Sequence, residues 1–140
     1  MDRRNFIQAG IAGAAAGFML PATAMAGEGS KLKSPLAGSL YYTKENPGRW
    51  AAKVAGHAPV VEAADGMIMV TTPHEMLAHE HYIVKHTLFD ANMNLLGETM
   101  FDPTKDKAAI SQYTLKEYKG VAYALSMCNK HDCWVTEFTV

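Results

Sequence analysis

The residues best suited to chemistry in this sequence are its histidines and cysteines. Cys128 and His131 are separated by two residues, so a thiolate and an imidazole can reach one metal ion from a single turn. This combination of a soft and a borderline donor suits iron, copper or zinc rather than magnesium or calcium. Two such residues often meet by chance, so the pair becomes informative only when further ligands join it.

Six histidines occur among the 140 residues, and most of them stand where a strand pattern begins or ends. Loops at strand ends are where residues from separate parts of a chain converge on a site. One histidine precedes an apolar run, one follows a proline and one opens a β-type run. The predicted metal ligands are His57, His74, His81, Cys128 and His131.

The remaining two histidines, His79 and His86, are interpreted as surface or core residues, because a lone histidine in a small protein is rarely a ligand. Alternation along a regular strand places His81 and His86 on opposite faces. The two cannot both point into one site from such a strand, and His81 is the one retained.

The elements that must position these residues are short β-strands separated by turns. No stripe of helical period occurs beyond the N-terminal segment, and β-type runs recur between turn signals such as Asp65-Gly66. This pattern favours an all-β fold, an immunoglobulin-like antiparallel β-sandwich of about seven strands. The predicted strands cover residues 39–43, 60–62, 67–70, 82–89, 95–100, 110–115, 122–127 and 134–140.

The N-terminal segment is typical of an export signal. Arg3 and Arg4 precede an apolar stretch, residues 11–20, that leads into the small residues Ala24-Met25-Ala26. The stretch is shorter than the roughly 20 residues of a membrane-spanning helix. We therefore interpret residues 1–26 as a twin-arginine signal peptide, and we expect a periplasmic protein with no membrane attachment after cleavage.

The chain as a whole has the composition of an ordinary globular protein. It is 49% hydrophobic and 19% charged, and 13 basic against 14 acidic residues leave a net charge of −1, which gives no electrostatic grip on nucleic acid. Two cysteines are too few for a disulfide scaffold, so the fold must depend on a hydrophobic core. We expect a flexible leader and first strand in residues 27–44, and the functional domain in residues 45–140.

The order of the motifs resembles that of the superoxide reductases, the family of neelaredoxin and of the desulfoferrodoxin iron-binding domain. Its patterns are H-x-P-V-I/V-E, then P-H-P-M…H-Y-I, then C-N-x-H-G-x-W, and the similarity extends from about Val54 to the C-terminus. The matching segments here are His57-Ala58-Pro59-Val60-Val61-Glu62, Pro73-His74-Glu75-Met76…His81-Tyr82-Ile83 and Cys128-Asn129-Lys130-His131-Asp132-Cys133-Trp134.

This resemblance implies a cofactor and a reaction. The four histidines would surround one mononuclear non-haem iron in a plane, with Cys128 as the axial thiolate and the opposite coordination position open. The implied enzyme reduces superoxide to hydrogen peroxide and takes its electron from an unidentified periplasmic donor. Relatives are commonly dimers or tetramers, so the resemblance also leaves room for a homo-oligomer.

The sequence departs from the family pattern at three places. The Glu-Lys pair that usually precedes the first histidine is Ala55-Gly56 here, and Lys130, taken as the catalytic candidate, or Lys53 would supply the positive charge instead. Six residues separate the second and third histidines where the family has five, so a one-residue bulge is expected and His79 stays in reserve. The third departure is Cys133, interpreted as a packing residue beside Trp134.

Two further functions stay open on the sequence alone. An iron-containing electron-transfer or redox-sensing protein would keep the site and dispense with the Glu-Lys pair. A periplasmic copper- or zinc-binding module on the same sandwich would keep the donor residues but bind another metal.

Overall fold

The computed structural model describes residues 30–140, so the signal peptide predicted for residues 1–26 lies outside the described part of the chain. Seven antiparallel strands form two sheets, with strand orders β1-β2-β5 and β4-β3-β6-β7. The predicted all-β sandwich is confirmed. The strands are β1 Val60–Ala64, β2 Met67–Thr72, β3 Ile83–Asp90, β4 Leu95–Met100, β5 Ala109–Thr114, β6 Val121–Cys128 and β7 Asp132–Thr139.

The core between the sheets follows from period-2 alternation. In β2, Ile68 and Val70 are fully buried while Met67 on the opposite face is exposed. They meet Leu88 of β3 and Ala124 of β6 from the other sheet. Burial of these side chains holds the two sheets face to face. The connecting loops lie at the two ends of the sandwich, where the strands begin and end.

A short helical segment, which the sequence patterns did not predict, precedes β1. It consists of a 3-10 helix at Gly48–Lys53 and one α-helical turn at Val54–His57, and neither has a side-chain N-cap. So short a helix is not stable by its own propensity, and it depends on tertiary contacts. In the described residues, no helix has the length and apolar character needed to cross a membrane.

The strand predicted for residues 39–43 is reduced to two isolated bridges, Ala37 with Tyr41 and Tyr42 with Trp134. Tyr42 is buried, its N–H donates to the carbonyl of Cys133 at 2.9 Å, and its own carbonyl accepts from the N–H of Val135 at 2.8 Å. One residue is thus hydrogen-bonded beside β7 rather than a whole strand. The turns on either side of Tyr42 end the pairing.

Candidate metal centre

Five side chains converge at the end of the sandwich where β2 and β6 finish and β3 and β7 begin. Each offers one ligand atom, and all five atoms lie within 4.8 Å of one another. Two of the side chains are buried and three are partly exposed, so solvent reaches the cluster. The five are His57, His74, His81, Cys128 and His131, the same residues that the sequence analysis selected as metal ligands.

The four imidazoles form a ring in the order His57, His131, His81 and His74. Centroids of neighbouring rings lie 4.3 to 4.8 Å apart, whereas those of His57 and His81, which face each other across the ring, are 6.0 Å apart. Three distances between ligand nitrogens are 3.0 Å: His57 Nε2 to His131 Nδ1, His131 Nδ1 to His81 Nε2, and His81 Nε2 to His74 Nε2.

His57 is positioned by the helical segment. It is the last residue of the α-helical turn and only 4% exposed, and its Nδ1–H donates to the carbonyl of Lys53 at 3.0 Å. The Nε2 atom is therefore left as a lone pair directed at the other histidines. Burial lowers the pKa of His57 to about 4, so its imidazole is neutral at physiological pH.

His74 and His81 come from the loop between the two sheets. His74 follows β2, where its N–H donates to the carbonyl of Thr72 at 2.7 Å and its Nδ1–H donates to the carbonyl of Glu75. The extra residue before His81 is accommodated in a turn closed by the N–H of Leu77 and the carbonyl of His81, with Ala78 at a φ of 47°.

His79, the reserve candidate, is not among the five residues of the cluster. It lies in this turn, exposed, with its ring against that of Tyr82 at a centroid distance of 6.2 Å. Asn129 clamps the turn to the opposite loop: its Nδ2 donates to the carbonyls of His79 and Glu80 at 3.3 and 3.2 Å, and its Oδ1 accepts from the N–H of Tyr82 at 3.0 Å.

Cys128 precedes a tight hairpin turn, and His131 is the last residue of that turn. Cys128 pairs with Asp132 in the β6–β7 register, which leaves three residues in the turn. Asp132 has a φ of 64°, a left-handed conformation that Asp tolerates better than most residues. The turn brings Cys128 Sγ to 3.6 Å from His131 Nδ1, and Sγ accepts the backbone N–H of Lys130 at 3.4 Å.

The contacts among the ring nitrogens cannot all be hydrogen bonds. His57 and His74 carry their proton on Nδ1, since each faces a carbonyl that only accepts, so only His81 and His131 can supply protons to the three short contacts. If one of them donates, a contact of two lone pairs remains. If both carry a proton there, the two N–H groups face each other.

A cation at the centre of the ring removes this conflict, because all four lone pairs then point at it. Nitrogens bound at about 2.0 to 2.1 Å are about 3.0 Å apart at right angles and about 3.4 Å apart at tetrahedral angles. The observed 3.0 Å fits the right-angled arrangement. Burial is also the largest cause that keeps the pKa of His74, His81 and His131 below the ordinary value, which favours the neutral, metal-binding form.

The sulfur completes a donor set that suits a transition metal. Cys128 Sγ lies 3.8 Å from His74 Nε2, farther than the nitrogens lie from one another, in keeping with the longer metal bond of a thiolate. Structural zinc sites take four donors and catalytic ones commonly three protein donors. The five donors of this cluster exceed the number in either kind of zinc site.

The remaining residues singled out in the sequence lie around this cluster. Lys130 and Lys53 are exposed. Burial and then the charge of Lys53 are the main causes that lower the pKa of His131, and Lys130 adds to them, so both charges act on the ring. Ala55 and Gly56 supply neither a carboxylate nor an ammonium group. Cys133 is a half-buried free thiol outside the cluster.

Sequence reasoning missed the residues that hold the ligands in place. Trp50 packs its ring edge-on against His131 at a centroid distance of 4.7 Å, and its Nε1–H donates to Asp132 at 2.8 Å. Asn129 was noted only as part of a motif. No spacing signal marks Trp50, because its partners lie more than 80 residues away in the chain.

Comparisons with known proteins point to one family of folds. No protein-family model and no curated protein matches the sequence. Among solved structures, the chain is similar to the superoxide reductase (neelaredoxin) from Ignicoccus hospitalis, with 25% identity, a TM-score of 0.58 and coverage of 74% of this chain and 95% of that one. A variant of the same protein is 26% identical, with a TM-score of 0.61 and coverage of 74% of this chain and 94% of that one.

The superoxide reductase (1Fe-SOR) from Giardia intestinalis is 19% identical, with a TM-score of 0.53 and coverage of 61% of this chain and 98% of that one. This similarity concerns the fold alone. The solved structures named here are superoxide reductases. It shares their β-sandwich fold and places a cluster of four histidines and one cysteine on it.

Proposed function

We propose that this protein is a superoxide reductase with a single mononuclear non-haem iron. The observation that carries the proposal is the ring of four imidazoles with Cys128 beside it. The similarity to superoxide reductases from Ignicoccus hospitalis supports it. The residues that would hold the iron are His57, His74, His81, Cys128 and His131.

Iron bound there would supply the single electron that, with two protons, converts superoxide into hydrogen peroxide. The chain supplies the setting for that step. Four neutral imidazoles add no charge, so a ferrous centre with one thiolate keeps a net positive charge that attracts the superoxide anion. The N–H of Lys130 donates to Cys128 Sγ and thereby moderates how strongly the sulfur donates electrons.

The positive charges of Lys130 and Lys53 attract superoxide toward the site. Both are exposed, and both charges lower the pKa of His131, after burial as the main cause. An electrostatic field of this kind raises the association rate of a small anion without any contact in the bound state. No carboxylate from Ala55-Gly56 competes with superoxide for the centre.

The same proposal includes the setting of the enzyme. The twin-arginine pattern in residues 1–26 supports a periplasmic protein, and the electron would come from a donor in that compartment. A second function, electron transfer or redox sensing at the same iron, is favoured by one observation only, the replacement of the usual Glu-Lys pair by Ala55-Gly56.

Metal analysis, visible spectra and superoxide kinetics on protein purified without added metal test the proposal. We expect one iron per chain, a thiolate-to-iron absorption band in the oxidised protein that disappears on reduction, and consumption of superoxide by the reduced protein much faster than its autoxidation. Cys128→Ser should abolish the band. Cys133→Ser is the matched control, because its half-buried thiol lies outside the cluster, and it should retain the band.

Each other outcome replaces the proposal with a specific alternative. Iron with the band but without rapid superoxide consumption would indicate the electron-transfer or sensing protein. Copper or zinc in place of iron, with no such band, would indicate a metal-binding module on the same fold.

A further inference from the structure

A second cluster of polar side chains lies between the two sheets, and the metal site uses none of them. His86 of β3 is at its centre: its Nε2 lies 2.8 Å from Thr72 Oγ1, and its Nδ1 lies 2.8 Å from Ser111 Oγ. Thr72 Oγ1 in turn lies 2.7 Å from Ser126 Oγ. None of the four side chains is more than 4% exposed. We call this group the inter-sheet polar cluster.

The cluster is satisfied as a closed set of hydrogen bonds. A neutral imidazole donates from one nitrogen and accepts at the other, and each hydroxyl both donates and accepts, so the three contacts can all form at once. Among the described residues, no buried side-chain nitrogen or oxygen lacks a partner. Because an unpaired polar group in such a place is costly, the cluster fixes the relative position of the strands that contribute to it.

Two of those strands, β2 and β6, belong to different sheets and lead to metal ligands at their ends. Thr72 is the last residue of β2 in the three-stranded sheet, and its carbonyl accepts the N–H of His74 at 2.7 Å. Ser126 lies on β6 in the four-stranded sheet, two residues before Cys128. The hydroxyl contact between Thr72 and Ser126 is therefore a direct link between the sheets, two residues from a ligand on each side.

Apolar packing does not define this distance as sharply. The hydrophobic effect is non-directional, whereas a hydrogen bond prescribes both distance and angle. Cys128 Sγ and His74 Nε2 lie 3.8 Å apart, one from each sheet, and no hydrogen bond ties the backbones of these two residues to each other.

We infer that three residues of the inter-sheet polar cluster position the metal ligands: the Thr72–Ser126 contact sets the separation of His74 from Cys128, and His86 holds Thr72 in place. The inference rests on the proposed metal centre but not on its reaction with superoxide. Thr72, Ser126 and His86 are positioning residues, since they act on the site through His74 and Cys128.

Cobalt(II) titration of metal-free protein tests this role, with the thiolate-to-cobalt absorption band and the dissociation constant as readouts. Thr72→Val keeps the shape of the side chain and removes the hydroxyl, while Ser126→Ala breaks the link and leaves His86 paired with Thr72. Both variants should shift the band and bind cobalt at least about tenfold more weakly. Thr72→Ser restores the hydroxyl and should bind like the wild type.

Ser111→Ala is the matched control. It also removes one hydrogen bond from His86, but Ser111 lies on β5, which contributes no residue to the metal cluster. It should lower the temperature of thermal unfolding about as much as Ser126→Ala does, since each breaks one hydrogen bond of the cluster, and leave the band and the cobalt affinity unchanged.

The possible results separate the two proposals. Equal weakening of cobalt binding by Thr72→Val and Ser111→Ala would show that the cluster is merely structural, and no weakening by Thr72→Val or Ser126→Ala would equally overturn the positioning role. If the wild-type protein itself binds cobalt without a thiolate band, the proposed metal centre fails and the inference fails with it.

Discussion

At the scale of single residues, two of the clustered histidines are oriented by groups that mutation of a side chain cannot remove. The Nδ1–H of His57 donates to the carbonyl of Lys53, and that of His74 to the carbonyl of Glu75. Backbone carbonyls are present whatever the side chain is. The orientation of these two rings therefore depends on the local fold rather than on the identity of a neighbour.

His86 leads to a prediction about stability and pH. Burial alone lowers its pKa from 6.5 to about 4, so between these values the unfolded chain binds the proton more readily than the folded one. Stability is fully present above about pH 6.5 and is lost as the pH falls toward 4. We expect this residue to account for a loss of about 2 to 3 kcal/mol in the free energy of unfolding over that window.

Urea unfolding of metal-free protein between pH 4 and 7 checks this, with His86→Gln as the comparison. Glutamine offers a donor and an acceptor but does not titrate in this range. The cluster histidines contribute to the pH dependence of both proteins, so the difference between the two curves isolates His86. Parallel curves for wild type and variant would contradict the prediction.

At the scale of elements, the fold is predictable from the sequence where local pattern and structure coincide. Runs of β-type residues between turn signals located all seven strands, and in β2 the alternation of buried and exposed residues matches the pattern of the sequence. The motif order selected the five clustered side chains before any geometry was known. The helical segment at residues 48–57 and the bridge at Tyr42 were not predictable in this way, because they are held by contacts with Asp132, Cys133 and Val135 that are distant in the chain.

Asp132 is the anchor of the helical segment, and a substitution there should loosen it. Its carboxylate accepts from Trp50 Nε1–H and from the guanidinium of Arg49. Asp132→Gly suits the left-handed backbone but removes both bonds. We expect local opening of residues 48–57 to become easier by about 1 kcal/mol, or about fivefold faster amide hydrogen exchange in that segment.

The matched variant is Asp132→Asn, which keeps an oxygen that accepts from Trp50 and loses the charge that pairs with Arg49. Because that ion pair is exposed, it contributes little, and exchange in residues 48–57 should stay near the wild-type rate. Exchange in the Asn variant as fast as in the Gly variant would assign the anchoring to Arg49 rather than to Trp50.

At the scale of the whole molecule, positive and negative charges are nearly equal in number, but the positive charges of two lysines lie near the metal cluster. The net charge is −1, yet the two lysines that act on the ring, Lys53 and Lys130, both lie near the end of the sandwich that carries the metal cluster. On the proposed function, a superoxide anion would be drawn to this end although the protein as a whole does not attract anions.

Lys53→Ala and Lys130→Ala should each lower the rate of superoxide consumption at low salt by a few-fold and reduce its dependence on ionic strength. Lys119→Ala is the control, since it removes the same charge just before β6, at the opposite end of that strand from Cys128. Stopped-flow or pulse-radiolysis kinetics at several salt concentrations provide the measurement. An unchanged salt slope in one lysine variant would remove that lysine from the mechanism.

The five clustered donors come from the helical segment, from the loop after β2 and from the hairpin after β6, so they span 57 to 131 in the chain. A single bound ion would act as a cross-link that closes most of the domain into one loop. It would also connect the two sheets. Metal loss would then loosen the fold itself and expose backbone to proteases. Cellular proteolysis would thereby discriminate between loaded and empty copies without any dedicated sensor.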